Sequence, residues 1–346
     1  MSGPLLRQLM IIILPTAVAY AALLALSVAL YPQSPGKILD PVLARDTFLR
    51  TPPAYLVYGS SAVTHGDKVV VLLGPSNVSL GFRPHILSAK FSDTVFHNMS
   101  LGGTSIDGMA AMIDLVFALR GSNQRTSPVF VAGLWYGEFL HSENLRDRTP
   151  VAQQMNRFGI FERNDDGYRP AVPLSLFNII VEALRPYFLV RLILAKNGPI
   201  FGGEDPTLLK TRGLQELTCT SDQKRNFRES RLGAFKKHGT KQFEAMVDVA
   251  REVRAQGGKF VLVDLPHPRC MTEVDAEWRR YQSIKLPFIE RARSVGALYW
   301  NLQDIDDNRF FMDGTHPNTA GALAMETRLA QLLRENSSVL FGDGID

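Results

Sequence analysis

The sequence predicts a three-layer α/β sandwich with a parallel sheet, preceded by one transmembrane helix. Two patterns in the 346-residue chain lead to this fold class. The run Leu9–Tyr31 is almost wholly apolar and carries no charge, and a membrane-spanning helix needs about 20 such residues. Beyond it, short apolar runs alternate with helical patterns, which is typical of a doubly wound α/β fold.

The N-terminal apolar run indicates a retained anchor at residues 1–36. A cleaved signal peptide is the alternative, but its hydrophobic region usually spans only about 7–15 residues. Residues 33–55 are rich in Pro and lack a clean period, so we interpret residues 37–65 as a stem. The remaining chain, residues 66–340, is predicted to form the α/β domain.

Five short runs of apolar and β-branched residues predict the strands of the sheet. Runs that are apolar throughout suit strands buried on both faces of a parallel sheet. Ligands of such sheets bind beyond the carboxyl ends of the strands, which is where the polar motifs lie. The predicted strands are Val69–Leu73, Thr94–His97, Val129–Ala132, Phe260–Leu265 and Ala297–Leu302.

Helical patterns separate these strands and end the chain. They cover Ile106–Arg120, Lys241–Ala255 and Ala320–Glu335. Residues 140–235 interrupt the alternation and are interpreted as an insertion. Within it, residues 172–195 are apolar but include charged side chains, so we predict an amphipathic helix that covers the core or lies on the membrane surface.

Composition argues against several function classes. The net charge is only +4, and no basic stripe, zinc finger or RNP-like motif points to a nucleic-acid partner. No P-loop, G-x-G-x-x-G or C-x-x-C motif predicts a nucleotide cofactor or a metal. Cys219 and Cys270 would form one disulfide outside the cytoplasm, and two unpaired thiols are the alternative.

A candidate nucleophile, Ser76, follows the first predicted strand in the motif G-P-S-N. A serine at the start of a helix has backbone N–H groups and a positive dipole end nearby, and residues 84–90 could supply that helix. Serine is also a common helix cap. Ser61 competes for the role, but the strand at Val69 would follow too soon for a parallel crossover, which needs a dozen or more residues.

Two further motifs follow the second strand and precede the last helix. N-M-S-L-G-G-T-S begins at Asn98 and by itself is more typical of a Gly-rich turn than of a site. D-G-T-H-P-N begins at Asp313. His316 could accept the proton of Ser76, with Asp313 orienting the imidazole as in a triad. A helix-start Asp and a surface His are the alternative, and Asp264–His267 repeats the same spacing after the fourth strand.

In this order, the motifs resemble those of the SGNH or GDSL hydrolase superfamily over about residues 66–335. That family places its Asp–His pair shortly before a final helix, which favours residues 313 and 316 over 264 and 267. The resemblance implies a flavodoxin-like sandwich with Ser76 as nucleophile, His316 as base and Asp313 as its partner. It also implies that Ser76 and Gly103 donate backbone N–H groups to the oxyanion.

In this chain, the segment that corresponds to the family's third motif block does not follow the usual Gly-x-Asn-Asp pattern. This chain reads G-L-W-Y-G from Gly133, so the Asn that donates to the oxyanion is replaced. Loss of such a donor costs on the order of 100- to 1000-fold in rate. Either Tyr136, Asn77 or another group substitutes, or hydrolysis in water is weak. Residues expected to line the pocket are Asn77, Asn98, Trp135, Tyr136 and His267.

The anchor and the altered block resemble membrane-anchored members of the superfamily that modify cell-envelope polymers, including teichoic-acid D-alanylation and exopolysaccharide O-acetylation proteins. This resemblance implies an esterase or O-acyltransferase that acts on acyl esters, expected to be acetyl, of an envelope or exported polysaccharide. It also implies a single-pass inner-membrane protein with a periplasmic or extracellular body, beside a multi-spanning membrane acyltransferase. A non-catalytic binding subunit with the same fold and a soluble secreted lipase or thioesterase are the alternatives.

Overall fold

Helix α1 (Gly3–Leu30) is long and apolar enough to cross a membrane. Its 28 residues give a length of about 42 Å, against about 30 Å for the hydrocarbon core of a bilayer. Ile11 and Ile12 are 64% and 67% exposed, so the described part of the protein does not cover them. The helix qualifies as a membrane span by its length and composition, and a signal sequence would meet the same two criteria.

The computed structural model describes only part of the chain. The predicted stem, Ser61 and most of the predicted insertion, including nearly all of residues 172–195, lie outside the described residues, as does Gly103. The predicted domain boundaries therefore stay predictions. The described residues are 3–30, 67–100, 104–120, 126–140, 161–164, 167–170, 183, 186, 213–232 and 240–342.

A five-stranded parallel sheet forms the centre of the domain, in the order β2-β1-β3-β6-β7. This is the flavodoxin-like order, in which the chain reverses direction across the sheet between β1 and β3. A two-stranded antiparallel ribbon, β4-β5, is separate from it. The strands are β1 (Lys68–Leu73), β2 (Thr94–Asn98), β3 (Val129–Leu134), β4 (Phe161–Asn164), β5 (Gly167–Pro170), β6 (Lys259–Asp264) and β7 (Leu298–Asn301).

Helices cover both faces of the sheet. They are α2 (Ser76–Gly81), α3 (Pro84–Ser88), α4 (Ile106–Arg120), α5 (Ser221–Leu232), α6 (Lys241–Ala255), α7 (Arg269–Thr272), α8 (Ala276–Ser294), α9 (Thr319–Glu335) and α10 (Ser337–Phe341). Two 3₁₀ turns are formed by Tyr136–Leu140 and Asn308–Phe310.

Side chains of β1 alternate between two hydrophobic clusters, as the two-residue period of a strand requires. Val69 and Val71 pack in the cluster that includes α4, α6 and α8. Val70 and Leu72 pack in the cluster that includes α2, α3 and α9. The predicted fold class, a three-layer α/β sandwich with a parallel sheet, is therefore confirmed.

Several helices differ from the sequence prediction, and α5, α7 and α10 were not predicted. The helix expected at residues 84–90 is preceded by α2, which starts at Ser76 itself. Helix α8 was not predicted, because charged residues separate its apolar positions and Pro287 lies within it. The predicted bounds of α4 and α6 are correct.

Candidate active site

The carboxyl end of β1 turns abruptly into helix α2, and this turn presents Ser76. Gly74 has a φ of +143°, and a Cβ there would lie 3.0 Å from the carbonyl oxygen of Gly133, so the position favours glycine. Pro75 is the N-cap, and Ser76 is the first helical residue. The backbone N–H of a first helical residue has no acceptor within its own helix.

Ser76, His316 and Asp313 form a hydrogen-bonded relay. Ser76 Oγ lies 2.7 Å from His316 Nε2, and His316 Nδ1 lies 2.8 Å from Asp313 Oδ2. With Nδ1–H donating to the carboxylate, Nε2 carries a lone pair that can accept the serine proton. The structure thus brings together the three residues that the sequence analysis selected, across a separation of 240 positions.

The Asp313 carboxylate also stabilises the turn in which it lies. Oδ1 accepts hydrogen bonds of 2.8 Å from the backbone N–H groups of Thr315 and His316. Partial burial raises the pKa of Asp313, but hydrogen bonds and charge from His316, with these backbone bonds, outweigh it and lower the pKa to about 2. The carboxylate therefore stays ionised at any pH at which the imidazole can act as a base.

Further contacts attach this turn to the start of helix α9. The backbone N–H of Met312 donates to the carbonyl of His316 at 3.0 Å. Asn318 caps the helix by accepting from the N–H of Gly321 at 3.0 Å, and its amide donates to the carbonyls of Arg309 and Gln215. The turn that carries His316 is therefore continuous with a buried helix cap.

Two buried amides of the predicted pocket support the loops around Ser76. Asn77 Nδ2 donates to the carbonyl oxygen of Thr315 at 2.5 Å. Asn98 Nδ2 donates to the carbonyl of Phe82 at 2.9 Å, and its Oδ1 accepts from the N–H of Ser100 at 3.0 Å. Both side chains are engaged with protein groups, Asn77 with the turn before His316 and Asn98 with the end of helix α2.

The Tyr136 hydroxyl, one of the groups expected to substitute for the third-block Asn, is engaged by another residue. Tyr136 is 1% exposed, and its hydroxyl donates to Asp275 Oδ2 at 2.6 Å. Trp135, which follows β3 directly, is half-buried and packs against both hydrophobic clusters. Its ring lies where a side chain on Gly137 would be. Trp135 borders the carboxyl end of the sheet because β3 ends at Leu134.

The competing pair, Asp264 and His267, is engaged elsewhere. The Asp264 carboxylate forms a buried ion pair with Lys285 and accepts from the hydroxyls of Tyr281 and Tyr299 at 3.0 and 2.8 Å. His267 is buried and packs edge-on against the aromatic ring of Tyr136. These contacts explain why the same D-x-x-H spacing does not give a second relay.

Cys219 and Cys270 form a disulfide, the pairing that the sequence left open. It joins the segment before α5 to helix α7. The same segment contacts the residues just before the turn that carries His316, because the N–H of Leu217 donates to the carbonyl of Phe311 at 2.8 Å. Among the described residues, no group of three or more His, Cys, Asp or Glu side chains could hold a metal ion.

Comparison with known proteins gives distant structural similarity only. No protein-family model and no curated protein matches the sequence. A GDSL-like lipase from Bacteroides thetaiotaomicron is 12% identical, with 83% of this chain and 98% of that chain covered and a TM-score of 0.40. A member of the lipolytic G-D-S-L family from Veillonella parvula is 11% identical, with 77% and 98% covered and a TM-score of 0.38.

Proposed function

We propose that this protein is a serine esterase or O-acyltransferase of the SGNH type that works through an acyl-serine intermediate. The observation that carries the proposal is the relay from Ser76 Oγ through the His316 imidazole to the Asp313 carboxylate. A serine hydroxyl is a weak nucleophile until a base accepts its proton, and this geometry supplies such a base.

In the first half-reaction, Ser76 Oγ attacks the acyl carbonyl carbon while its proton passes to His316 Nε2. The bond to the alcohol breaks, and the leaving oxygen takes that proton from His316. In the second half-reaction, a water or a sugar hydroxyl loses its proton to His316 and attacks the acyl carbon. The bond to Ser76 Oγ breaks and the proton returns to it, which releases an acid or a new ester.

The oxyanion of each tetrahedral intermediate needs preorganised donors. In this proposal the backbone N–H of Ser76 is one donor, and that of Gly103, which lies outside the described residues, is a second. The Tyr136 hydroxyl donates to Asp275, so in this proposal it does not take the place of the Asn that donates to the oxyanion in the family's third block. A weakened oxyanion hole requires a more reactive acyl donor, and a site that excluded water would favour transfer over hydrolysis.

The proposed setting is the outer side of the cytoplasmic membrane. Helix α1 is long enough to serve as a single-pass anchor, and a disulfide such as Cys219–Cys270 persists in oxidising compartments. We propose acyl esters, specifically acetyl esters, of an envelope or exported polysaccharide as substrate. A multi-spanning acyltransferase would be the membrane partner that supplies the acyl group.

A non-catalytic binding subunit of a polysaccharide-modification complex is the second candidate. The absence of the third-block Asn favours it, because that residue supplies part of the oxyanion hole in the family that the motifs resemble. The preserved relay argues against it, because a binding protein does not need a base aligned with a serine.

The test uses the full-length protein in detergent. We expect a fluorophosphonate probe to label it and p-nitrophenyl acetate to be turned over. Ser76→Ala and His316→Ala should each lower turnover at least about 1000-fold, whereas Ser61→Ala and His267→Ala should retain labelling and turnover. A folded wild-type protein that is neither labelled nor active would instead favour the second candidate, a non-catalytic binding subunit.

A further inference from the structure

Asn77, the residue after the candidate nucleophile, contacts the residue before the candidate base. Its side chain is 3% exposed, and Nδ2 donates to the carbonyl oxygen of Thr315 at 2.5 Å. This hydrogen bond joins positions 238 residues apart. It therefore ties the start of helix α2 directly to the turn that carries His316.

The peptide group between Thr315 and His316 is held on both sides. Its carbonyl oxygen accepts from Asn77, and its N–H donates to Asp313 Oδ1 at 2.8 Å. A rotation of this peptide plane would swing the His316 Cα–Cβ bond and carry Nε2 away from Ser76. The two hydrogen bonds oppose that rotation from opposite ends of the same group.

The side chains on the turn are only partly buried, since those of Asp313 and His316 are 51% and 28% exposed. The Asn77 amide is buried, and a buried hydrogen bond in a low-dielectric setting is stronger than one in water. Asn77 is thus a buried attachment between the nucleophile side and the base side of the site.

We propose that Asn77 is a positioning residue, which aligns His316 Nε2 with Ser76 Oγ by fixing the Thr315–His316 peptide. The inference rests on the proposed function, because it assigns Asn77 a part in the reaction of Ser76 and His316. It touches no reacting atom. A misplacement of about 1 Å at a reacting centre can cost about 100-fold in rate, so loss of this contact should lower kcat and leave KM little changed.

The test compares two substitutions with a matched control in the full-length protein. Asn77→Ala removes the donor, and Asn77→Asp keeps the shape but faces the Thr315 carbonyl with an oxygen. Gln242→Ala removes another buried amide, which donates to Asp107 at 3.2 Å on the α6 side of the sheet. We expect kcat for p-nitrophenyl acetate to fall about 10- to 100-fold in both Asn77 variants and to stay at the wild-type value in the control.

A second readout does not depend on activity. A low-field proton NMR signal from His316 Nδ1–H, assigned by its loss in His316→Ala, reports the hydrogen bond to Asp313. This signal should weaken or shift in both Asn77 variants and persist in Gln242→Ala, whatever the stability of each. If wild-type protein is inert but the signal responds in this way, the proposed function fails and the positioning role stands. Folded Asn77 variants with the wild-type signal, or with wild-type kcat, would overturn it.

Discussion

At the scale of single residues, Asp313 determines which nitrogen of His316 carries the proton. Its carboxylate is an acceptor only, so it selects the tautomer with hydrogen on Nδ1 and leaves Nε2 able to accept from Ser76. The pKa of Asp313 is lowered to about 2 from its usual 3.8. The carboxylate is therefore ionised from mildly acidic to basic pH and accepts from Nδ1–H throughout that range. A loss of activity between pH 8 and pH 4 would therefore not come from protonation of Asp313.

We expect Asp313→Asn to lower kcat on the order of 1000- to 10,000-fold. The amide can donate to Nδ1, which moves the imidazole proton to Nε2 and prevents it from accepting the Ser76 proton. Asp248→Asn is the control, because Asp248 pairs with Arg251 on the exposed side of α6. Turnover of p-nitrophenyl acetate at pH 7 measures the effect, and a variant within tenfold of wild type would contradict this role.

At the scale of elements, the site depends on two helices, α2 and α9, that pack together on the same face of the sheet. Arg83 follows helix α2, and its guanidinium forms a bidentate ion pair of 2.7 Å with Glu326 on helix α9. The backbone N–H of Arg83 donates to the same carboxylate, which has no exposed surface. This pair holds the nucleophile helix beside the helix that begins just after His316.

We expect Arg83→Met to lower the free energy of unfolding by about 3 kcal/mol or more, because it leaves a buried carboxylate without its partner. The double variant Arg83→Met/Glu326→Leu should recover most of that loss, since removal of both partners leaves no buried charge. Urea denaturation of the single and double variants measures both values. A double variant that is no more stable than Arg83→Met would contradict this expectation, because the unpaired carboxylate would then not be the source of the loss.

The elements could be predicted to different extents. Strands such as β1 were predicted because burial on both faces requires a continuous apolar run. Helix α2 was not, because S-N-V-S-L-G has no helical period and is held by contacts such as the amide of Asn98 to the Phe82 carbonyl. The contact from Asn77 to Thr315 was also missed. Its acceptor is a backbone carbonyl 238 positions away, which no local pattern reveals.

At the scale of the whole molecule, the disulfide and the helix α1 together bear on which side of the membrane the domain lies. Two cysteines that are 51 positions apart give no local signal of pairing. The sequence alone therefore did not decide between a disulfide and two unpaired thiols. Their pairing matters for location, because thiols in the cytoplasm are kept reduced. The proposed location, an outer-side domain joined to α1, is compatible with both features.

We expect the full-length protein, isolated from cells under rapid alkylation, to contain the Cys219–Cys270 disulfide and to sediment with the membrane fraction. A thiol-reactive mass tag should label both cysteines only after reduction, because an exported domain oxidises and a cytoplasmic one does not. A Cys219→Ser variant should show one free thiol without reduction, which controls for access of the tag to Cys270. Two free thiols in membrane-bound wild-type protein would place the domain on the cytoplasmic side and remove an exported polysaccharide as its substrate, while leaving the Ser76 relay unaffected.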